Sequence, residues 1–192
     1  MKRRVTIIDG HPAPADRRLC HALADAYADG AIEAGHEVKL LTLAELDIPL
    51  LRTKHDWEEG TLAADLAAAQ ESIRSADHLV IIYPLWLGSM PALLKAFFEQ
   101  VLRPGFAIRK EISLSGGLLK GKSARIVVTM GMPAFIYRWF FGAHSLKSLE
   151  RNILKFVGIK PIAETLIGNV EGGPQVATKW LAKMHDLGRM AK

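Results

Sequence analysis

The stretch Ala76 to Leu102 constrains this chain more than any other, because it reads as a strand, an exposed turn and a helix in immediate succession. His78 to Tyr83 is a short run rich in Ile and Val, opened by Asp77 and closed by Pro84, the pattern of a strand buried on both faces. Pro91 then fits a helix start, and Leu93, Leu94, Phe97, Phe98, Val101 and Leu102 recur at three-and-four spacing behind it. Between the two lies the apolar turn Pro84-Leu-Trp-Leu-Gly-Ser-Met90. Open parallel sheets bind ligands beyond the carboxyl ends of their strands, so Trp86 is placed to touch a planar ligand.

The rest of the chain repeats this alternation. Arg4 to Ile8 forms a strand that ends in Asp-Gly-His-Pro, and a helix follows from Asp16 to Ala34 with Leu19, Leu23, Ala26, Tyr27 and Ile32 on its buried side. Val38 to Thr42 is a second strand, and Leu46 to Glu59 a connecting segment without a sustained period. Thr61 is expected to cap a helix running to Ser75, with Asp65 in its first turns. Beyond the Pro91 helix, Arg103 to Lys122 forms a long loop containing Ser115-Gly-Gly. Ala124 to Met130 is a fourth strand, Phe135 to Phe141 a strongly aromatic segment, and His144 to Val157 another helix. Ile162 to Ile167 is a fifth strand, and Pro174 to Leu187 a last helix. Strands that alternate with helices imply a parallel sheet covered on both faces by its crossovers. Neither an internal repeat nor a G-x-G-x-x-G turn is present, and the expected architecture is a three-layer α/β fold of strand order 2-1-3-4-5.

With 192 residues and 49% apolar content, the chain suits one domain, residues 1–192. The 25 Lys and Arg exceed the 20 acidic residues only slightly, which argues against nucleic acid as a partner and for anionic small molecules. Cys20 is the sole cysteine, cannot form an internal disulfide, and reads as a small buried helix residue in a reducing cytoplasm. The apolar run Val5 to Ile8 breaks at Asp9, too early for a signal peptide. Two prolines cut the longest apolar neighbourhood, so no membrane span is expected, and no metal site is expected either.

Three strand ends converge on one crevice in this order: Asp9 to Arg18, Pro84 to Ser89, and Thr129 to Met132. The first enters a helix, where free N–H groups and the helix dipole favour an anion and Arg17 and Arg18 add positive charge. The competing readings are arginines that decorate a solvated helix start and a Trp86 that fills the core.

Tyr83-Pro84-Leu85-Trp86, followed by Ser89-Met90-Pro91-Ala92-Leu93-Leu94-Lys95, resembles the flavin-binding signature of the NAD(P)H:quinone oxidoreductase family, whose members share a flavodoxin-like fold. His11-Pro12, Gly105-Phe106-Ala107, Leu119-Lys120-Gly121-Lys122 and Ile153 to Gly158 extend the similarity over nearly the whole chain. The resemblance implies a flavin with its phosphate at the loop from His11 to Cys20, where Arg18 and Cys20 stand in place of the family's serine and asparagine. It implies a ring edge at Pro84, Leu85, Trp86 and Leu87, resting on the N–H groups of Trp86 and Leu87. The family's Thr-x-Gly-Gly loop is replaced by Thr129-Met130-Gly131-Met132, and Met132 narrows the space there. Tyr137 and His144 resemble the tyrosine and histidine that assist charge handling at the flavin in the eukaryotic branch. The alternative puts Tyr137 in an aromatic wall with Phe135, Trp139, Phe140 and Phe141, and makes His144 a helix cap. By resemblance the chain is expected to be a homodimeric oxidoreductase using NADH or NADPH and reducing quinones by ping-pong transfer. Its flavin is expected to be FMN rather than FAD, because the chain is shorter than the FAD-binding members. A regulatory or electron-carrying subunit, as in potassium efflux systems, and a reductase of nitro or azo compounds are the alternative expectations.

Overall fold

The computed structural model describes residues 1–14, 18–110 and 117–192. Five parallel strands, β1 (Arg4–Asp9), β2 (Glu37–Thr42), β3 (His78–Pro84), β4 (Ser123–Thr129) and β5 (Ile162–Ile167), form one sheet of order β2-β1-β3-β4-β5, as the alternation predicts. The connecting helices are α1 (Leu19–Glu33), α2 (Lys54–Glu59), α3 (Ala64–Ser75), α4 (Ala92–Val101), α5 (His144–Ser148) and α6 (Pro174–Met190). Among the described residues, no helix is long and apolar enough to cross a membrane.

Because successive strand residues point to opposite faces, β3 feeds two cores at once. Leu79, Ile81 and Tyr83 pack with Ile8, Ile126 and Val128 against α3, α4 and α5 through Leu66, Ile73, Leu94, Phe97 and Leu146. Val80 and Ile82 join Val5, Ile7 and Val127 on the other face, under Leu23, Tyr27 and Ala31 of α1 and Met184 of α6. Every residue of β3 is buried, whereas β2 lies at the edge and leaves Leu40 exposed. Ile32, expected on the buried side of α1, also faces solvent; Ala31 takes that role.

Two glycines that periodicity leaves without a role fix how α1 meets α6. A Cβ on Gly30 would lie 2.0 Å from the carbonyl oxygen of His185, and one on Gly188 would lie 2.1 Å from that of Tyr27. The helices therefore pack backbone against backbone, an approach only glycine permits.

Three local expectations are corrected. The segment before Gly60 contains a helix, α2, begun by Thr53, whose hydroxyl accepts the Asp56 N–H at 3.0 Å. α3 starts at Ala64 behind Ala63 with no side-chain cap, so Thr61 is not its cap. The helix expected from His144 to Val157 is broken into α5 and a π-helical stretch, Leu149–Leu154, and a π-helical turn, Ile136–Phe140, forms in the aromatic segment. Such widened turns are frequent near functional sites. The middle of the loop between Arg103 and Lys122, including Ser115, lies outside the described residues.

The amino-terminal ends of the strands are pinned by charge. Arg4 pairs with Asp77 at 2.8 Å, and the Arg4 hydrogen bonds hold the Asp77 carboxyl down to about 2. Neighbouring His78 is buried, with Nδ1 2.7 Å from the Ser123 hydroxyl. Burial, with Arg3 and Arg125 nearby, pushes its imidazole down to about 4. An unfolded histidine titrates near pH ~6.5, so between that pH and about 4 the unfolded chain binds a proton that the native chain refuses. Stability is accordingly expected to fall as pH drops through this window and then to lose no more from this group. Urea denaturation at pH 7 and 4.5 tests it. His78→Gln, which keeps a partner for Ser123, should shrink the difference, and an unchanged difference would show that other groups cause the acid sensitivity.

Candidate functional site

The sheet's connections leave β1 and β3 in opposite directions, β1 toward β2 and β3 toward β4, which makes the gap beyond their carboxyl ends the switch point of the fold. Gly10 sits in this gap with its N–H on Ile82 O at 2.8 Å, and a Cβ there would meet a Leu94 methyl at 3.0 Å. Asp9, 2% exposed, accepts the His11 N–H at 3.1 Å with Oδ1 and contacts His21 Nδ1 with Oδ2. The Ala13 N–H donates to His11 Nδ1 at 3.1 Å, so the proton of a neutral His11 ring lies on Nε2. α1 begins at Arg18 with no side-chain cap and no acidic residue in its first turn, the conditions that leave a helix start receptive to an anion. Arg17, also expected at the phosphate, lies outside the described residues.

The β3 turn comes to meet this loop. The Trp86 ring stands edge-on to His11 with centroids 5.8 Å apart, and His11 stands in the same way to His21 at 5.1 Å. Trp86 N–H donates to Ser89 O and Ser89 N–H to Trp86 O, each at 2.9 Å, closing a two-residue loop in which Leu87 and Gly88 both have positive φ, +47° and +74°. This corrects one expectation: the Trp86 N–H is engaged within the turn, and Leu87 presents the outward donor. Trp86 is half exposed and Leu87 fully exposed, so the turn does not fill the core. Pro84 is buried, and Leu85 is tied to β4 through its N–H on Thr129 O at 2.8 Å. On the α4 side of the turn lies a cavity of about 540 Å³, lined among others by Leu87, Ser89, Met90, Lys95 and Ser145.

At the third strand end, Thr129 Oγ1 lies 3.3 Å from Cys20 Sγ. Burial pushes the Cys20 thiol up to about 12, so it stays protonated and serves as packing. Met130 is a further correction. Its side chain is buried in the core, its N–H donates to Ile167 O and its carbonyl accepts from Val170, which leaves it nothing to offer the crevice. Gly131 is exposed, and Met132 is partly exposed with its carbonyl accepting the Asn169 N–H at 3.2 Å.

Tyr137 and His144 stand in different surroundings, one buried and one exposed. The Tyr137 hydroxyl is buried, accepts the Leu146 N–H at 3.2 Å, and burial raises its pKa. His144 is exposed as the first residue of α5, behind Ala143 at the cap position, so it is not a cap. The aromatic wall exists without Tyr137: Phe135, Trp139, Phe140 and Phe141 all face outward. Asp9 and His21 are the residues that sequence reasoning missed, because only the return of α1 over β1 brings them together. Among the described residues, no group of acidic, histidine and cysteine side chains could hold a metal.

A five-stranded parallel sheet of this order, with an anion-receptive loop at its β1–β3 switch point, defines the flavodoxin-like class of α/β proteins. The family pattern described as a flavodoxin-like fold matches residues 3–187, and the chain belongs to that family. It is 30% identical over 168 residues to a Haemophilus influenzae protein described as an uncharacterized NAD(P)H oxidoreductase, covering 85% of this chain and 83% of that one. It is 33% identical over 121 residues to FMN-dependent NADH:quinone oxidoreductase 3 of Pseudomonas aeruginosa, covering 63% of this chain and 55% of that one. The structure of the NAD(P)H:quinone oxidoreductase from Methanothermobacter marburgensis superposes with a TM-score of 0.81 at 25% identity, over 98% of this chain and 96% of that one. The H. influenzae protein apart, the chain spans about half the length of the curated quinone dehydrogenases it matches.

Proposed function

We propose that this chain is an FMN-dependent oxidoreductase that oxidises NADH or NADPH and reduces a quinone or a similarly flat acceptor, working as a cytoplasmic homodimer. The observation that carries this reading is the junction of His11 and Trp86, where an anion-receptive helix start meets an exposed aromatic turn that presents the Leu87 N–H. The names of the relatives agree with it.

The residues fit FMN. The first turn of α1, with Arg18 and His11 beside it, would hold the phosphate, and the Leu87 N–H and the Trp86 indole would meet the ring. When bound, the flavin supplies the two-electron redox chemistry that side chains cannot perform. The protein's part is positional. Gly131 leaves room on the β4 side, Met132 narrows it, and the cavity beside Leu87 and Ser89 holds a flat second substrate close to the turn. Of the sequence-predicted pair, exposed His144 is the group able to reach a substrate, whereas Tyr137 supports the core.

Four neighbouring aromatics, 50% to 82% exposed, form a patch that a second copy of the chain covers. The reading is tested by adding FMN to the purified protein and following NADPH oxidation with a soluble quinone. Flavin binding and parallel steady-state lines for the two substrates are expected. Protein that binds neither FMN nor FAD, or lines that intersect, would overturn it.

A further inference from the structure

The phosphate end of the crevice rests on a buried negative charge. Asp9 lies at the tip of β1 directly under the start of α1, and its carboxylate is shielded by only two partners in the described structure, the His11 N–H and the His21 ring. A bare carboxylate in that position would repel an incoming phosphate and oppose the dipole that attracts it. His21 occupies the third position of α1, inside the first turn, and is 9% exposed. Its Nδ1 faces the Asp9 carboxylate and therefore carries a proton. Its other nitrogen, Nε2, is buried and bonded to nothing. A buried ring nitrogen without a partner is costly, and so close to a helix start it is best satisfied by an anion that accepts its proton.

We infer that His21 is a phosphate-binding residue: Asp9 fixes the ring through Nδ1, and Nε2–H donates to a terminal phosphate oxygen of the flavin mononucleotide. The inference rests on the flavin reading above and deepens it. The ring stands between the Asp9 carboxylate and the phosphate and turns a repulsive strand tip into a donor. The pair thereby sets a preference for phosphorylated over unphosphorylated flavin, because riboflavin offers Nε2–H no anion.

The full-length protein, stripped of bound flavin, is titrated with FMN and separately with riboflavin, following flavin fluorescence. Wild-type protein is expected to prefer FMN strongly. His21→Ala should weaken FMN binding about tenfold or more while leaving riboflavin within about twofold, the range of a lost charge-assisted hydrogen bond. Because His21→Ala strands Asp9 and endangers folding, the double variant Asp9→Asn/His21→Gln is measured beside it. This variant keeps a hydrogen-bonded neutral pair and should show the same narrowed ratio. An unchanged FMN-to-riboflavin ratio in the double variant overturns the role of His21. Equal weakening of both flavins overturns it too, since that reports a structural role. Wild-type protein that binds neither flavin overturns the flavin reading itself.

Discussion

Gly30→Ala is expected to destabilise the protein by about 3 kcal/mol, although the same change in an exposed helix stabilises by about 1 kcal/mol. The sign reverses because the added methyl carbon would stand 2.0 Å from the carbonyl oxygen of His185, a main-chain atom locked in α6. No rotamer change relieves that contact, so α6 must move away from α1. Tyr27, Ala31 and Met184, all buried at this interface, then lose their packing. Urea denaturation reads the effect as a lower midpoint. Gly188→Ala makes the mirror-image clash, 2.1 Å from Tyr27 O. The double variant should lose less than the sum, because a helix already displaced leaves little for the second methyl to disturb. No loss in either variant would mean that the two helices do not touch at these glycines, whereas full additivity would mean that the two clashes are relieved independently.

Leu87→Pro is expected to weaken FMN binding about a hundredfold, roughly 3 kcal/mol, while leaving the fold stable. Proline removes the outward N–H and demands a φ near −65°, against the +47° of the native turn. The Trp86–Ser89 closure cannot form around it. Leu87 is fully exposed and contributes nothing to the core, so stability should hold. Leu87→Gly is the informative contrast: it keeps the donor and adopts positive φ readily, so FMN affinity should stay within a few-fold of wild type. Strong binding by Leu87→Pro would remove this main chain from the flavin site.

The fold was legible because each strand is short, apolar and bounded by punctuation such as Asp9-Gly10 and Pro84, and only one common sheet order suits such a string. The turn at Trp86 was legible for a similar reason, since an indole stranded between two prolines has no core to enter. What stayed hidden depends on three-dimensional neighbours. Tyr137 sits among outward-facing aromatics in sequence, yet a π-helical turn rotates it inward. Met130 follows a strand into the core rather than into the loop. The Asp9 and His21 contact joins a strand tip to a helix start, and no spacing rule announces it. The demand for glycine at positions 30 and 188 belongs to the pairing of two helices far apart in the chain.

The two poles of the sheet do unrelated work. β3 runs from His78 to Pro84, a span of about 20 Å at ~3.3 Å per residue, with the acid-sensitive pin at one end and the Trp86 turn at the other. Sites that far apart with no shared partner change free energy independently. Tolerance of low pH can therefore be bred into the foot of this protein by altering His78 while the Trp86 turn at the opposite rim is left as it was.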